Sequence, residues 1–272
     1  MQEVNIKNIA EEMKKAQDNC TQLDPITSRF LNFNMMSAYE TAHLIHEQRI
    51  KEGLVPVGRK IGFTNTNMWP IYEVYEPVWA YMYDKTVTQL TEGVAVCFIG
   101  KYSEPKIEPE IVLHFCSTPP VNATPSELLA CIDWIALGFE IVQSHFPNWK
   151  FQAADTVVDS GLHAELLIGE KVSVKHLGQS ILQDLEKFEV TLSCNSRLCE
   201  VGQGANALGS PLLAVVHLMS VLSSQREAMP IQAGEIVTTG TLTSAYTVSV
   251  GQLWGASLSG ISLPGLKVYF EK

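Results

Sequence analysis

The sequence predicts an α+β fold, a β-rich body preceded by helices. Two observations carry this. From residue 54 to the end, strand-like segments recur between Gly and polar turns, with few helical stretches and no repeated alternation of strand and helix. The first 53 residues, by contrast, carry helical periodicity alone. The expected division is an N-terminal helical region at 1–53 and a β-rich domain at 54–272.

Composition bounds the function classes. The chain has 272 residues, 46% of them hydrophobic and 18% charged, which is too apolar for a disordered protein and long enough for a sizeable core. A formal net charge of -10 disfavours non-specific nucleic-acid binding, because phosphate contacts need a basic field. No apolar run reads as a membrane span, and the N-terminus lacks the apolar centre of a signal peptide. Six cysteines form no CxxC pair, and most of them read as buried thiols. A cytoplasmic protein without nucleic-acid or membrane partners is expected.

The elements follow in order. Ile9, Ala10, Met13 and Ala16 recur at helical spacing over 6–20. A second helix spans about 37–51, with Ala38, Ala42, Leu44, Ile45 and Ile50 as its apolar positions, and stops near Gly53. The segment VPVGRKIGFTN reads as a strand ending in a polar turn. Residues 86–99 alternate like strands around a turn, and KIEPEIVLHF is a further strand. Thr124, Pro125 and Glu127 form a capping box with Pro at the first helical position. The apolar run behind them extends this helix to about 136–139, so that Glu140 opens a short strand. AELLIGEKVSV and EKFEVTLSCNSRLCE look like hairpins. Ser210 and Pro211 start a helix that runs to about Leu222, and EIVTTG, SVGQLWGASL and LKVYF close the chain as strands. Gly202-Gln203-Gly204 is a turn rather than part of a phosphate loop, since no GxGxxG or GxxxxGK[ST] motif is present.

The sharpest chemical signal is Glu108-Pro109-Glu110. Residues two apart on a strand face one side, so two carboxylates share a face with Val112 and His114. A divalent cation would neutralise them, oxygen ligands favouring Mg²⁺ or Mn²⁺; a solvated edge strand is the competing reading. Glu140, between Phe139 and Ile141, is a third acid in an apolar frame, explained by a metal or by pairing with Lys or Arg. Asp155 and Asp159 are a helical turn apart, as ligand-orienting groups or as caps. Lys60, beside Gly58 and an apolar strand, reads as an anion clamp or a strand-edge lysine, and Lys150 has the same ambiguity. The histidines assemble into no HExxH motif, and no His–Glu base pair of the kind a C–C hydrolase needs is evident. No GxSxG elbow is present.

Together these segments resemble the fumarylacetoacetate-hydrolase-like superfamily, in its 2-keto-4-pentenoate hydratase and 4-oxalocrotonate decarboxylase branch. The resemblance rests on GRKIGFTN, EPVWAYMYD, IEPEIVLHF, GFEIVQSHFPNWKFQAADTVVDS, LGSPLLAVVHL and AGEIVTTGTLTSA, and covers nearly the whole chain. It implies a mixed β-sheet and β-roll core, with 54–272 as the catalytic domain. It implies Glu108, Glu110 and Glu140 as ligands of one Mg²⁺ or Mn²⁺, and Lys60 close to the substrate carboxylate. With the 76–84 segment lining the pocket and 238–241 approaching the substrate, the expected catalytic set is Lys60, Glu76, Asp155 and Asp159. The expected substrate contacts are Lys60, Trp79, Lys150, Leu162, His163, Thr239 and Thr241. The sequence departs from relatives at Ala80, where Gly is usual, and after Asp159, where Ser160-Gly161-Leu162-His163-Ala164-Glu165 replaces Asn and a Ser-rich run.

The implied activity is hydration of a 2-hydroxy-2,4-dienoate to a 4-hydroxy-2-oxoacid in the catabolism of aromatic compounds by meta-cleavage. Decarboxylation of a 4-oxalocrotonate-type substrate, or a non-catalytic partner subunit, is the alternative. A decarboxylase must hold a second carboxylate at the far end of the dienoate. Neither Lys150 nor Arg226 is placed there by the sequence, so a substrate with one carboxylate is expected. The implied partners are this small molecule, further copies of the chain and a pathway enzyme; Met35, Met36 and Tyr39 beside an apolar helix face also point to a homo-oligomer.

Overall fold

The computed structural model describes residues 5–90, 94–226 and 228–272. Helices come first: α1 (Ile6–Asn19), α2 (Ile26–Arg29) and α3 (Met35–Lys51). Asn5 and Asn34 start α1 and α3 by accepting backbone N–H groups three residues on. Ile9, Ala10, Met13 and Ala16 are all buried. Ile50, expected on the apolar face of α3, is instead exposed. There follow β1 (Pro56–Gly62), α4 (Trp69–Tyr72), β2 (Val78–Tyr83), β3 (Val87–Gln89), β4 (Ala95–Phe98) and β5 (Lys106–Phe115). Next are α5 (Pro125–Leu129), β6 (Ile132–Val142), α6 (Ala153–Val158), β7 (His163–Ile168), β8 (Val172–Ser173) and α7 (Ile181–Lys187). The chain ends with β9 (Glu189–Cys194), β10 (Arg197–Gln203), α8 (Pro211–Ser224), β11 (Ile236–Thr238), β12 (Tyr246–Thr247), β13 (Leu253–Ser259) and β14 (Leu266–Glu271).

Two sheets form the body. A nine-stranded mixed sheet runs β2-β1-β11-β5-β6-β7-β3, with β12 on β5 and β8 on β6. A five-stranded sheet runs β10-β9-β13-β14-β4. The large core lies around β5, β6 and α8, with Phe115, Phe139, Leu218 and Phe270 among its members. The N-terminal helices share a second core with residues 142–162, including Val142, Phe146, Val157 and Leu162.

Three expectations change here. The capping box at Thr124 forms as expected, but its helix ends at Leu129. Ile132–Val142 is one strand of eleven residues. A central strand buried on both faces reads as an unbroken apolar run, which periodicity cannot tell from a buried helix. The strands within 86–99 enter different sheets, β3 beside β7 and β4 beside β14; the turn expected between them falls on 91–93, outside the described residues. β7 and β8 are not a hairpin, since both pair with β6. β9 and β10 are one, turning through Asn195 and Ser196 with positive φ.

Gly202 and Gly204 serve packing: a Cβ on either would lie 2.0 or 2.2 Å from the carbonyl oxygens of Leu242 and Leu185. Against the expectation of no such span, the stretch Gly204–Ser224 is long and apolar enough by composition to cross a membrane. Only Pro211–Ser224 of it is α-helix, and Leu212, Val215, Leu218 and Leu222 face the core. Fourteen helical residues rise about 21 Å, short of a bilayer's apolar thickness.

Candidate active site

The site is built on the middle of the large sheet. On antiparallel β5 and β6, Glu108 and Glu140 are direct partners. Glu110 lies two residues further along β5 on the same face. One ligand oxygen from each of the three carboxylates lies within 4.8 Å of the others. Sequence reasoning expected Glu140 just after a helix; in the interior of β6 it instead faces Glu108 across the ladder. Glu110 and Glu140 are fully buried, while Glu108 is partly open to a cleft.

Lys60 approaches from β1. Its Nζ lies 3.0 Å from Glu140 Oε2 and donates to the Gly161 carbonyl at 2.7 Å. Residues facing each other across a ladder share a side. Lys60 pairs with Ala80, so both look into the site. Trp79 pairs with Ile61 and points to the opposite face, where it stacks on Tyr39 and lies beside Arg59. Glu76 sits in an exposed bend, outside the cleft lining. Of the 76–84 segment, Ala80 is what reaches Lys60.

The other side of Lys60 is a loop of three consecutive residues with positive φ, Ser160, Gly161 and Leu162. A Cβ at Gly161 would lie 3.2 Å from both the Ala80 Cβ and the Lys60 Cδ. Ala80 and Gly161 thus pack against each other over the lysine stem. Asp159 fastens this loop. Its Oδ2 accepts from the His145 N–H at 3.0 Å, and its Oδ1 meets His145 Nδ1 at 2.7 Å. Asp155 does not meet Asp159 through its side chain. It caps α6 at Gln152 and binds Thr27 of α2 at 2.6 Å, a structural clamp away from the cleft. Lys150 is exposed and does not line the cleft.

His163 does not face the cleft. Its Nδ1 bonds Glu140 Oε1 at 2.7 Å and its Nε2 bonds Thr86 Oγ1 at 2.9 Å. Buried His–carboxylate pairs therefore exist, His163–Glu140 and His145–Asp159, where sequence spacing showed none. Each joins residues that fold topology brings together. His114 leaves the cluster, pairing with Asp133 at 2.5 Å and stacking on Trp134. Thr239 is buried against β5, donating to the Ile111 carbonyl, and does not line the cleft. Thr241 and Leu162 do. Gly240, at φ +90, donates its N–H to Glu110 Oε2 at 2.9 Å. A Cβ there would lie 1.8 Å from Thr64 Oγ1, so glycine is required.

The cleft is narrow, with room for water-sized groups of about 30 Å³. Its charged lining is Lys60 and Glu108; its apolar lining includes Phe63, Tyr72, Val142, Trp149 and Leu162. The aromatic wall was not singled out from sequence, although Phe63 and Asn65 lie in the GRKIGFTN segment and Trp149 in FPNWK.

Electrostatics set the cluster apart. Burial, then the negative charge of Glu140, push the Glu108 carboxyl up to about 7. The same causes hold Glu110 well above the ordinary range. Burial also works against ionised Glu140, but the Lys60 ammonium and the His163 hydrogen bond outweigh it and hold this carboxyl at about 2. Burial disfavours charged Lys60 too, yet the three glutamates raise its pKa. Glu110 Oε1 is buried without a hydrogen-bond partner, and Glu140 Oε2 has only the ion pair to Lys60. With all three carboxyls ionised, they and one ammonium leave two negative charges, which one divalent cation would neutralise. Oxygens this close, partly orphaned and without thiol or imidazole at the cleft side, fit a hard cation of the Mg²⁺ class.

No protein-family model matches the chain. It is similar to the 2-keto-4-pentenoate hydratase of Paraburkholderia xenovorans (strain LB400), 27% identical over 254 residues, which cover 93% of this chain and 90% of that protein. It is also 27% identical over 237 residues to a 4-oxalocrotonate decarboxylase of Pseudomonas sp., covering 87% of this chain and 85% of that one. The fold matches that of 4-oxalocrotonate decarboxylase from Pseudomonas putida G7, complexed with magnesium and adipate. That match has TM-score 0.87 at 24% identity and covers 99% of this chain and 100% of that chain. The fumarylpyruvate hydrolase from Pseudomonas aeruginosa, in complex with Mn²⁺ and pyruvate, shares the fold at TM-score 0.56 and 13% identity, covering 78% of this chain and 88% of that one. The structural neighbours thus lie in the fumarylacetoacetate-hydrolase-like superfamily.

Proposed function

We propose that the chain is a metal-dependent lyase that hydrates a 2-hydroxy-2,4-dienoate to a 4-hydroxy-2-oxoacid. The observation that carries this is the convergence of Glu108, Glu110 and Glu140 beneath Lys60 at the floor of a small, largely apolar cleft. The names of the relatives, hydratases and decarboxylases alike, support the same class of substrate.

Glu108, Glu110 and Glu140 would hold one Mg²⁺ or Mn²⁺; the fold neighbours complexed with magnesium and Mn²⁺ favour this ion class. Such an ion, when bound, supplies a Lewis acid for a 2-oxo acid and its enolate. The chain's own groups do the rest. The Lys60 ammonium offers a charge-assisted hydrogen bond to the substrate carboxylate, its stem held between Ala80 and Gly161. His163 orients Glu140 from behind. Glu108, partly open to the cleft, is the ligand nearest the incoming substrate. Phe63, Val142 and Leu162 exclude bulk water from the hydrocarbon part. Loss of the enol proton and protonation of the distal carbon leave an α,β-unsaturated ketone; water then adds its oxygen to the β-carbon, C4, and a proton goes to the α-carbon, C3. Decarboxylation passes through the same enolate, so the two outcomes share this site.

Asp159 acts here as a positioning residue for the Lys60-binding loop rather than at the reacting atoms. The chain works in the cytoplasm, as a homo-oligomer, with association with a pathway enzyme open to it. On light scattering at micromolar concentration, a species larger than 30.1 kDa is expected, and a monomer alone would refute assembly. The activity is tested by giving the purified protein Mg²⁺ and 2-hydroxypenta-2,4-dienoate. Loss of dienoate absorbance with formation of the 4-hydroxy-2-oxoacid is expected. No turnover of this compound or its carboxylated analogue would overturn the reading.

A further inference from the structure

We propose that Gln17 of the N-terminal helices is a positioning residue for the cleft: it holds the loop that aims Lys60, and so sets affinity for the substrate carboxylate from outside the cleft. The inference rests on the reading of Lys60 as the group that meets that carboxylate.

The loop at Ser160, Gly161 and Leu162 has to be held. Their φ angles are +52°, +62° and +65°. For Ser and Leu this backbone is strained and persists only where the surroundings over-determine it. The Gly161 carbonyl accepts from Lys60 Nζ at 2.7 Å, opposite the ion pair to Glu140 Oε2 at 3.0 Å. These two partners fix the ammonium between the loop and the glutamates. A carbonyl that drifts would let it settle on the carboxylates, away from an incoming anion. The loop's exit is tied to β6 by the Gln143 N–H, which donates to the Leu162 carbonyl at 2.8 Å. Its entry is tied to α1.

Gln17 stands half-buried in the last turn of α1. Its Nε2 donates to Ser160 Oγ at 3.1 Å and to the Val158 carbonyl at 3.3 Å, and lies 3.5 Å from Asp159 Oδ1. Val158 ends α6, where carbonyls have no partner within the helix. The other end of the amide is fixed as well. Its Oε1 accepts from Arg49 Nη2 of α3 at 3.1 Å, and Arg49 is itself paired with Asp18. An amide whose acceptor end is taken by a guanidinium turns its donor end to the loop. One side chain thus couples α1 and α3 to the three residues that precede Gly161. A carboxylate contact made alike in the ground and transition states acts on KM and leaves kcat unchanged. Gln17, acting through Lys60, carries the same signature.

The test is a double-mutant cycle on ligand affinity, read by calorimetry with 2-oxopentanoate and the Mg²⁺-supplemented protein. Gln17→Met keeps the length and helix propensity of the side chain and removes both ends of the amide. It should weaken Kd by about 3–10-fold, the worth of one ordinary hydrogen bond. In turnover of the dienoate KM should rise by the same factor, with kcat held to within about twofold. Made in Lys60→Met, the same change should alter Kd by less than about 1.5-fold, since the group it aims is gone. Ser160→Ala removes the hydroxyl that Gln17 grips. It should weaken Kd by about two- to threefold and serves where Gln17→Met does not fold. An unchanged Kd, whatever the melting temperature, or a loss of equal size in both backgrounds, would make Gln17 a structural prop. Either result would overturn the proposal and leave the proposed function in place. No binding of 2-oxopentanoate by wild type would overturn the reading of Lys60 and this proposal with it.

Discussion

Arg59 and Lys60 are neighbours on β1, both almost fully buried, and they face opposite ways into very different surroundings. Arg59 lies over Trp79 and Tyr81, 5.6 and 5.3 Å from the ring centres. One carboxylate, Glu235, pairs with it at 3.2 Å. That face is neutral as it stands. Lys60 meets three glutamates, which exceed it by two negative charges once all three are ionised. A buried cation is thus an architectural element on one side of the strand and part of a site on the other. What separates the two is the charge balance of the neighbours, which burial alone does not report.

The largest effect should come from the unbalanced face. Chelation of divalent ions, or Glu110→Gln, should lower kcat by at least about 10³-fold, since Lewis-acid stabilisation is worth several kcal/mol. The metal-free variant should melt no lower than metal-free wild type, because Glu110 without an ion is already held neutral. A chelated enzyme at full activity would end the distinction between the two faces. The balanced face should respond in stability instead. Arg59→Met leaves Glu235 without its partner and should cost about 3–5 kcal/mol in chemical denaturation. Glu235→Gln added to it should recover part of that loss. An Arg59 variant that lost activity without losing stability would show that this face, too, belongs to the site.

Lys60→Met sharpens the comparison in one step. Removing a positive charge at about 4 Å, worth about 4 kcal/mol at an effective dielectric of 20, should tighten divalent binding by at least about tenfold. At the same time kcat/KM should fall by about 10–100-fold through loss of the carboxylate contact. Weaker metal binding in this variant would place Lys60 among the groups that support the ion rather than those that compete with it.

The smallest effects are in pH, and they run in opposite directions. Glu108 is raised from its ordinary 4.5 to about 7, so between these values the folded chain holds a proton that the unfolded chain releases. Metal-free stability should therefore fall as pH rises through this window, and Mg²⁺ should restore it. On the other face His46 stacks on Tyr81 and its Nδ1 meets the Tyr83 hydroxyl. Burial, then His43 and Arg59, lower its pKa from 6.5 to about 4. Here the unfolded chain holds the extra proton, so stability should be lost as pH falls from 6.5 towards 4, by no more than about 1 kcal/mol at this partly open position. His46→Gln should flatten the acid limb alone in melts recorded at saturating Mg²⁺.

Short-range pattern was enough for α1, α3, α8 and the start of α5, for most strand positions and for the acids of the candidate site. The alternation of Glu108 and Glu110 put two carboxylates on one face before any fold was known, and the Thr124 capping box marked a helix start correctly. Where a rule is local, a turn of helix or a pleat, the residues within a few positions contain the information. Tertiary structure alone decided the rest. The segment from Ile132 to Val142 is strand because β5 and β7 supply its ladder partners, and its apolar run suits burial in either form. Trp79 faces away and Ala80 faces in through the register of β2 on β1. His163 meets Glu140, and His145 meets Asp159, by way of loops and strand order. Lys106 lies against Tyr72 and Trp149 only because α4 and the 147–149 turn bring these rings to it. Each of these depends on which distant segments pair and in what register, and that is settled by burial and hydrogen bonding summed over the whole chain.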